Sequence, residues 1–409
     1  MPQKITRRDA LKGAAAAGTV GLAGCLDSIT GGGGGARTVM QGVLMPETGD
    51  LASVGQPIRD GATLPIKQLQ DADTSFEYEF QVGDTQTNPQ AGISAAETLV
   101  NAGFPAITGP AASGVNLQVT RQVLIPNQVV GCSPSSTSPS VTSLDDDDYV
   151  FRTPPSDALQ GQVIAQVGSE NLSASSAATL YVNNDYGQAL SDSFESAFGG
   201  DVTATVAFEP EQNSYTSRLN SALADDPDML VIIGYPASGI QMFRDYYADF
   251  DTGTDIVVTD GLKDPALPGE VGNNMENVQG TAPTAAGPGR DFFTSAYEDE
   301  YDTSPGVFTS QAYDASAVCV LANVAGGENS GTAVRDNMRT VANPDGEEFG
   351  PADLADAVEA AAAGDDINYV GASSPVDFDE NGDMQTVTYE IFGFTSDGVE
   401  TLETIEFGG

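Results

Sequence analysis

Histidine and tryptophan are absent from this chain, cysteine occurs three times, and lysine stands only at positions 4, 12, 67 and 263. Each shortage removes a mechanism. Without histidine there is no Ser-His-Asp or Cys-His triad, no imidazole base and no His-ligated zinc, and three cysteines cannot fill a four-thiolate site. Lys and Arg total 15 against 59 Asp and Glu, a net charge of −44 over 409 residues, so little is available to neutralise the phosphates of a nucleic acid. There is no Gly-x-x-x-x-Gly-Lys-Ser/Thr phosphate loop and no Gly-x-Ser-x-Gly nucleophile elbow. Nor does any stretch past the N-terminus approach the roughly eighteen consecutive apolar residues of a spanning helix. No cofactor or metal is expected, and the chain reads as a protein other than an enzyme.

What is present begins with the acids. They run through the whole chain, and hydrophobic residues still make up 40 % of it in regular runs, which argues for folded domains against disorder. We read the charge as salt adaptation: at about 1 M salt the Debye length falls to roughly 3 Å, which screens self-repulsion while a carboxylate surface stays hydrated.

The N-terminus carries the sharpest local signal. Thr6-Arg7-Arg8-Asp9-Ala10-Leu11-Lys12 precedes a small, apolar stretch from Gly13 to Leu22, and Leu22-Ala23-Gly24-Cys25 closes it. Paired arginines before a short Ala/Gly-rich segment read as a twin-arginine export signal over residues 1–24. Leu-Ala-Gly-Cys resembles a lipobox, in which Cys25 takes a lipid and becomes the first mature residue. Removing residues 1–24 takes away Lys4, Arg7, Arg8 and Lys12 with the single acid Asp9, leaving 11 bases against 58 acids. Residues 25–37, with five glycines from Gly31 to Gly35, then read as a flexible tether.

From residue 38 onward, strand-like and helix-like segments alternate. Thr38 to Met45 reads as a buried strand, Pro57 to Ala72 as a helix with an awkward Pro65, and Phe76 to Val82 alternates with period two. Strands near 105–108, 128–132, 178–182, 202–208, 229–233 and 255–259 alternate with helices of about ten residues or more, the signature of parallel βαβ units. Two such sets part near Arg152-Thr153-Pro154-Pro155. The expected fold is α/β, with two doubly wound lobes.

In such sheets the ligand crevice lies beyond the carboxyl ends of the strands. Here those positions hold Gly109-Pro110-Ala111-Ala112-Ser113, Ser133-Pro134-Ser135-Ser136-Thr137, Asn183-Asn184-Asp185-Tyr186, Gly234-Tyr235-Pro236 and Asp260-Gly261. Hydroxyls and amides at helix starts can hold a carboxylate, an aspartate can hold an ammonium, and two tyrosines can wall a small ligand, a set suited to an α-amino acid zwitterion. Each residue taken singly also has a plain role as helix cap or turn former.

The order of the segments adds to this. Gly42-Val43-Leu44-Met45-Pro46-Glu47-Thr48-Gly49-Asp50-Leu51-Ala52-Ser53-Val54-Gly55 resembles the opening of the leucine/isoleucine/valine-binding family, the type I solute-binding proteins of ABC importers. Gly83-Asp84-Thr85-Gln86-Thr87-Asn88-Pro89, Val150-Phe151-Arg152-Thr153-Pro154-Pro155-Ser156-Asp157 with Gln160-Gly161, and Asp185-Tyr186-Gly187 resemble later segments of the same family, in register over residues 38 to 395. The resemblance implies Rossmann-like lobes joined by a three-crossover hinge near Pro154, Thr281 to Pro283 and Ser374-Pro375. The first lobe would be 38–153 plus 284–372 and the second 154–283 plus 373–409, with 305–325 and 351–363 helical and 327–350 a surface excursion.

Carried over residue by residue, the resemblance implies that Ser113, Ser135 through its backbone, and Thr137 hold the ligand carboxylate. Tyr186 and Tyr235 would close over it, and Asp260 would hold the ammonium. Phe308 would line the pocket, and Val54 would help select the ligand side chain. Where some members carry a first-lobe disulfide this chain has Thr87 and Ala112, so the loop near Ser113 is free to be set differently. The implied partners are a small amino acid or related zwitterion, an ABC permease with its ATPase subunits, and the outer membrane face through the lipid, for a monomer. A ligand-sensing module of the same fold is the alternative. An acid-pair glycosidase would need two carboxylates in one cleft about 5 to 9.5 Å apart, and only Asp260 and Asp185 stand at strand ends.

Three other signals carry less. Asp377-Phe378-Asp379-Glu380-Asn381-Gly382-Asp383 opens like a calcium loop, but Thr388 stands where a bidentate Glu is needed, and a hairpin turn explains it better. Asp145 to Asp148 reads as a solvated face. Cys132 and Cys319 read as buried thiols, with a disulfide between them left open.

Overall fold

The computed structural model describes residues 36–250, 253–342, 344–395 and 398–407. The export signal, Cys25 and the glycine run expected above lie outside these residues. Among the described residues no helix is long and apolar enough to cross a membrane.

Five parallel strands form the first sheet: β1 (Arg37–Met45), β2 (Phe76–Asp84), β3 (Ala106–Thr108), β4 (Val130–Ser133) and β5 (Val150–Arg152), in the order β2-β1-β3-β4-β5. The second is built from β6 (Ser176–Val182), β7 (Asp201–Phe208), β8 (Met229–Ile233), β9 (Asp255–Val258) and β10 (Val278–Pro283). A small parallel pair, β11 (Glu347–Phe349) and β12 (Ile367–Tyr369), lies apart. β13 (Val387–Thr395) and β14 (Gly398–Phe407) complete the second sheet antiparallel, in the order β14-β13-β10-β9-β8-β6-β7. Helices cover the central strands, so those strands read as continuous apolar runs: every residue of Met-Leu-Val-Ile-Ile in β8 is buried.

The helix Thr309–Gly326 is the hub of the first half. Residues 309–324 are all buried, which is why its sequence shows no polar face, and Thr108 of β3 shares a 2.7 Å hydrogen bond with Ser316 on it. Cys319 on this helix and Cys132 on β4 are neighbours, both buried and both free thiols.

Three expectations are corrected. The first helix runs Ala52–Asp71 and contains both Pro57 and Pro65, where Pro57 was expected to begin it. Its early start packs Gly55 against Pro46, where a Cβ would lie 2.3 Å from the Pro46 carbonyl oxygen, and burial of Leu64, Pro65, Ile66 and Leu69 offsets the hydrogen bonds lost at the prolines. Residues 327–350 are more than a surface excursion. They hold the helix Gly331–Met338, capped by Ser330, and bury Val334 and Met338 four residues apart on one helix face; these two anchors are easily lost in a polar stretch.

The chain passes from the first sheet to the second after β5 and returns after Pro283. The third passage comes later than Ser374-Pro375. Phe378 packs edge-on against Phe151 with ring centroids 5.2 Å apart, and Asp383 pairs with the fully buried Arg152 at 2.6 Å, so residues 376–384 stay beside β5 before β13 joins the second sheet. The turn between them is a tight hairpin, with Asp379 N–H bonded to Asp383 O and Phe378 bridging Met384.

Candidate functional site

The strand ends of both sheets meet around one small pocket, whose empty space is about 330 Å³ with its open mouth included. The first half contributes Leu51, Val54, Ile58, Ala111, Ala112, Ser113, Ser135, Val307 and Phe308; the second contributes Tyr186, Tyr235, Asp260 and Gly261. Six of the seven expected ligand residues therefore line one space. Thr137 is fully buried outside that lining, and its hydroxyl has no hydrogen-bond partner among the described residues.

Each wall is set by local chemistry. Ser113 opens the helix Ser113–Val119 directly after the β3 loop, and its Oγ accepts from Ser138 N–H at 3.3 Å. Ser133 Oγ accepts from Ser135 N–H at 3.4 Å and from Ser136 N–H at 3.0 Å, which folds the serine-rich loop onto itself. Phe308 precedes the Thr309–Gly326 helix with φ of +61°, a left-handed conformation that a bulky residue holds only at some cost in strain.

On the other side, Asn184 caps the helix Asp185–Ala197 and donates through Nδ2 to Tyr235 Oη at 3.2 Å. Tyr186 and Tyr235 stack nearly parallel, centroids 5.7 Å apart and planes 11° apart. Tyr186 Oη shares a 2.7 Å hydrogen bond with Thr259 and donates to Asp260 Oδ1 at 3.2 Å. Gly261 is demanded by close approach: a Cβ there would lie 2.4 Å from the Gly234 carbonyl oxygen. Burial pushes the Asp260 carboxyl up to about 6, with Gln160 and Tyr186 opposing the shift, and pushes both phenols well above the ordinary tyrosine value. Asp260 is thus an anion at neutral pH, almost without solvent, facing a cavity with apolar walls.

Two residues near the cavity escaped the sequence reading of the site. Asp50, in the loop after β1, reaches across to the helix Pro236–Asp249, where its Oδ1 accepts from Ser238 N–H at 2.7 Å and its Oδ2 from Ser238 Oγ at 2.8 Å. The Asp50 carbonyl also accepts from Ala237 N–H at 3.3 Å. A carboxylate of one half therefore caps a helix of the other, and both residues are buried. The second is Asp157, fully buried at the start of the helix Asp157–Gln166, with neither carboxylate oxygen partnered among the described residues. No local signal marks Asp50 or Asp157 among so many acids.

Such a site has the features of a two-lobed receptor that encloses a small solute, with neutral donors on one wall and an anion with two aromatic rings on the other. The comparisons name the class more closely. Residues 38–357 match the periplasmic binding protein family model. A Halobacterium salinarum protein, the chemotactic signal transduction system substrate-binding protein BasB, is 29 % identical over 87 % of this chain and 91 % of its own length. The leucine-, isoleucine-, valine-, threonine- and alanine-binding protein of Pseudomonas aeruginosa is 23 % identical over 90 % of this chain and 92 % of its own. Among solved structures, the branched-chain amino acid transporter substrate-binding protein LivJ of Streptococcus pneumoniae, in complex with isoleucine, superposes with a TM-score of 0.75 at 21 % identity, over 90 % of this chain and 100 % of that one. The chain belongs to the periplasmic binding protein family.

Proposed function

We propose that the protein is the extracytoplasmic, lipid-anchored substrate-binding component of an ABC importer, capturing a branched-chain amino acid or a related small zwitterion and delivering it to a membrane permease. The observation that carries this reading is the composition of the cavity. Ser113, whose Oγ only accepts within the chain, offers its hydroxyl to a carboxylate, Asp260 offers an anion to an ammonium, and Leu51, Val54 and Ile58 leave an apolar wall for an aliphatic side chain.

Capture works by closure. The lobes we propose are 38–153 with 284–384, and 154–283 with 387–407, hinged at the three passages between the sheets. In the open form the serine wall meets the carboxylate first. Closing brings Tyr186, Tyr235 and Asp260 onto the ligand, and only interactions that the open form lacks can favour the closed one. Asp50 adds a link between the halves that does not involve the ligand.

The test is calorimetric titration with a panel of amino acids, amides and aromatic acids in molar salt. Micromolar binding of leucine, isoleucine or valine is expected, and a panel in which only non-zwitterions bind overturns the reading. Export through the paired arginines, lipidation at Cys25 and halophily belong to the same proposal. Mass spectrometry of the mature protein should find a lipid-modified Cys25 as first residue.

A second reading, ligand sensing for a signalling partner, is favoured by the name of the Halobacterium relative. Adjacent permease and ATPase genes support transport; an adjacent transducer gene supports sensing.

A further inference from the structure

We propose that a second groove, which shares the Val307–Phe308 segment with the Asp260 pocket, is a binding site in its own right and takes a small organic carboxylate. The inference goes beyond the proposed function and does not depend on which solute the first pocket takes.

This groove is open and has about 620 Å³ of space, within the roughly 300–1,000 Å³ of small-molecule sites. Its walls come from both halves: Arg290, Ser310 and Gln311 from the first, Lys263, Glu390 and Thr401 from the second. None of these six lines the Asp260 pocket.

The helix Thr309–Gly326 begins at this groove without a cap. Phe308, at its N-cap, has no side-chain acceptor to offer, Thr309 N–H reaches Gly306 O only at 3.4 Å, and Ala312 N–H bonds Phe308 O at 2.9 Å. Between them, the N–H groups of Ser310 and Gln311 have no hydrogen-bond partner among the described residues. Both residues are buried, where an orphaned backbone donor is rare. With eighteen helical residues behind them, these N–H groups also carry the positive end of the helix dipole. The Gln311 side chain points independently to a ligand. It is 3 % exposed, its Oε1 accepts from Ser310 Oγ at 2.9 Å, and its Nε2 has no partner among the described residues. Holding the oxygen on Ser310 fixes the amide, so the Nε2 donors are left for the groove that Gln311 lines.

The charged groups of the groove sort in the same direction. Glu390 is buried and spent, since Lys263 pairs with its Oε1 and Thr401 Oγ1 donates to its Oε2 at 2.5 Å. Glu298, exposed on the helix Arg290–Tyr301, accepts from Ser304 Oγ at 2.8 Å. Arg290 is exposed, and its guanidinium makes no ion pair or hydrogen bond among the described residues. What the groove has to spare is therefore donors: two backbone N–H groups, one side-chain amide and one guanidinium. A planar carboxylate suits that set, because its two oxygens match the guanidinium fork and their other lone pairs accept from N–H groups. At about 1 M salt the Debye length of roughly 3 Å keeps the acidic surface from repelling such an anion.

The test titrates the protein in molar sodium chloride with succinate, with succinamide, which keeps the length of succinate and lacks its charge, and with sulfate. Calorimetry should find one succinate bound per chain, and succinamide and sulfate at least about 10-fold weaker. Arg290→Gln and Gln311→Leu, neither of them in the Asp260 pocket, should each lower succinate affinity about 10-fold. Arg290 is exposed, so its variant tests the site even where Gln311→Leu folds poorly. A crystal soaked in succinate should show a carboxylate against the N–H groups of Ser310 and Gln311. Absence of succinate binding overturns the proposal, as does sulfate or succinamide bound as tightly as succinate. An Arg290→Gln variant with unchanged succinate affinity overturns it too, and so does succinate found only in the Asp260 pocket.

Discussion

Burial pushes two aspartates of this protein to the same value, about 6, and the molecule uses them in opposite ways. Asp314, inside the first half, accepts from Tyr369 Oη at 3.0 Å, Ala372 N–H at 2.8 Å, Ser373 N–H at 2.7 Å and Ser373 Oγ at 2.5 Å. Asp260, at the cavity, accepts from Tyr186 at 3.2 Å. One acid is saturated by its own chain and pins residues 371–374 to the central helix; the other keeps its accepting capacity for something that arrives. Asp50 stands between them, saturated by donors from the opposite half. Acids of similar burial thus sort by where their donors come from: the same half, the other half, or, for Asp260 in the proposed function, the ligand.

The strongest way to break that comparison is Asp314→Ala. It orphans two backbone N–H groups and two hydroxyls in a dry interior at about 1–3 kcal/mol each, so a stability loss of at least ~4 kcal/mol is expected in thermal or urea unfolding. A loss below about 1 kcal/mol would show that Asp314 is no internal fastener. Asp260→Ala should do the reverse. Melting should be little changed or improved, while leucine affinity falls about 100-fold as the buried ammonium loses its counter-charge; retained micromolar binding by calorimetry would remove Asp260 from the site.

Asp50→Ala should fall in between. Losing two charge-assisted hydrogen bonds across the cleft should weaken binding about 10-fold, and small-angle scattering should find more of the ligand-free protein open. An unchanged scattering profile and affinity would mean that closure does not use this link.

The smallest effect sharpens the comparison by pH. With a folded value near 6 against 3.8 for a free aspartate, Asp260 and Asp314 each hold more protons in the folded state between those values. Their contribution makes the free protein lose stability as pH rises from about 4 to 6. Ligand affinity should move oppositely, weakening a few-fold as pH falls through about 6 and Asp260 loses its charge. Melting curves with and without leucine across roughly pH 4 to 7 should therefore diverge as pH rises, and parallel curves would contradict the role given to Asp260.

Much of the architecture could be read from period and order. Parallel strands buried on both faces announce themselves as apolar runs, and positions just after them are where an open sheet exposes side chains. That logic reached the segments that hold Ser113, Ser135, Tyr186, Tyr235 and Asp260, and the family resemblance singled out the residues themselves. It missed what depends on approach between distant segments. Asp50 is one more acid in a loop until a helix almost two hundred residues away is brought against it. Asp157 is an ordinary helix-start acid until burial shows that nothing serves it. Leu51, Ile58 and Val307 are plain core residues until the second half turns them into a pocket wall. The displaced helix start at Ala52 and the anchors Val334 and Met338 have the same origin, since tertiary packing outweighed a proline and a polar composition.

The capping of the Pro236–Asp249 helix by Asp50 involves no ligand, so it also acts on the empty protein. Whatever free energy it adds to closing sets the fraction of unloaded molecules that already look loaded. Each rise in that fraction removes part of the conformational cost from the apparent affinity, and each raises the background that a membrane partner must tolerate. In the proposed function, a single aspartate from the first half thereby contributes to how far sensitivity is traded against docking by empty molecules.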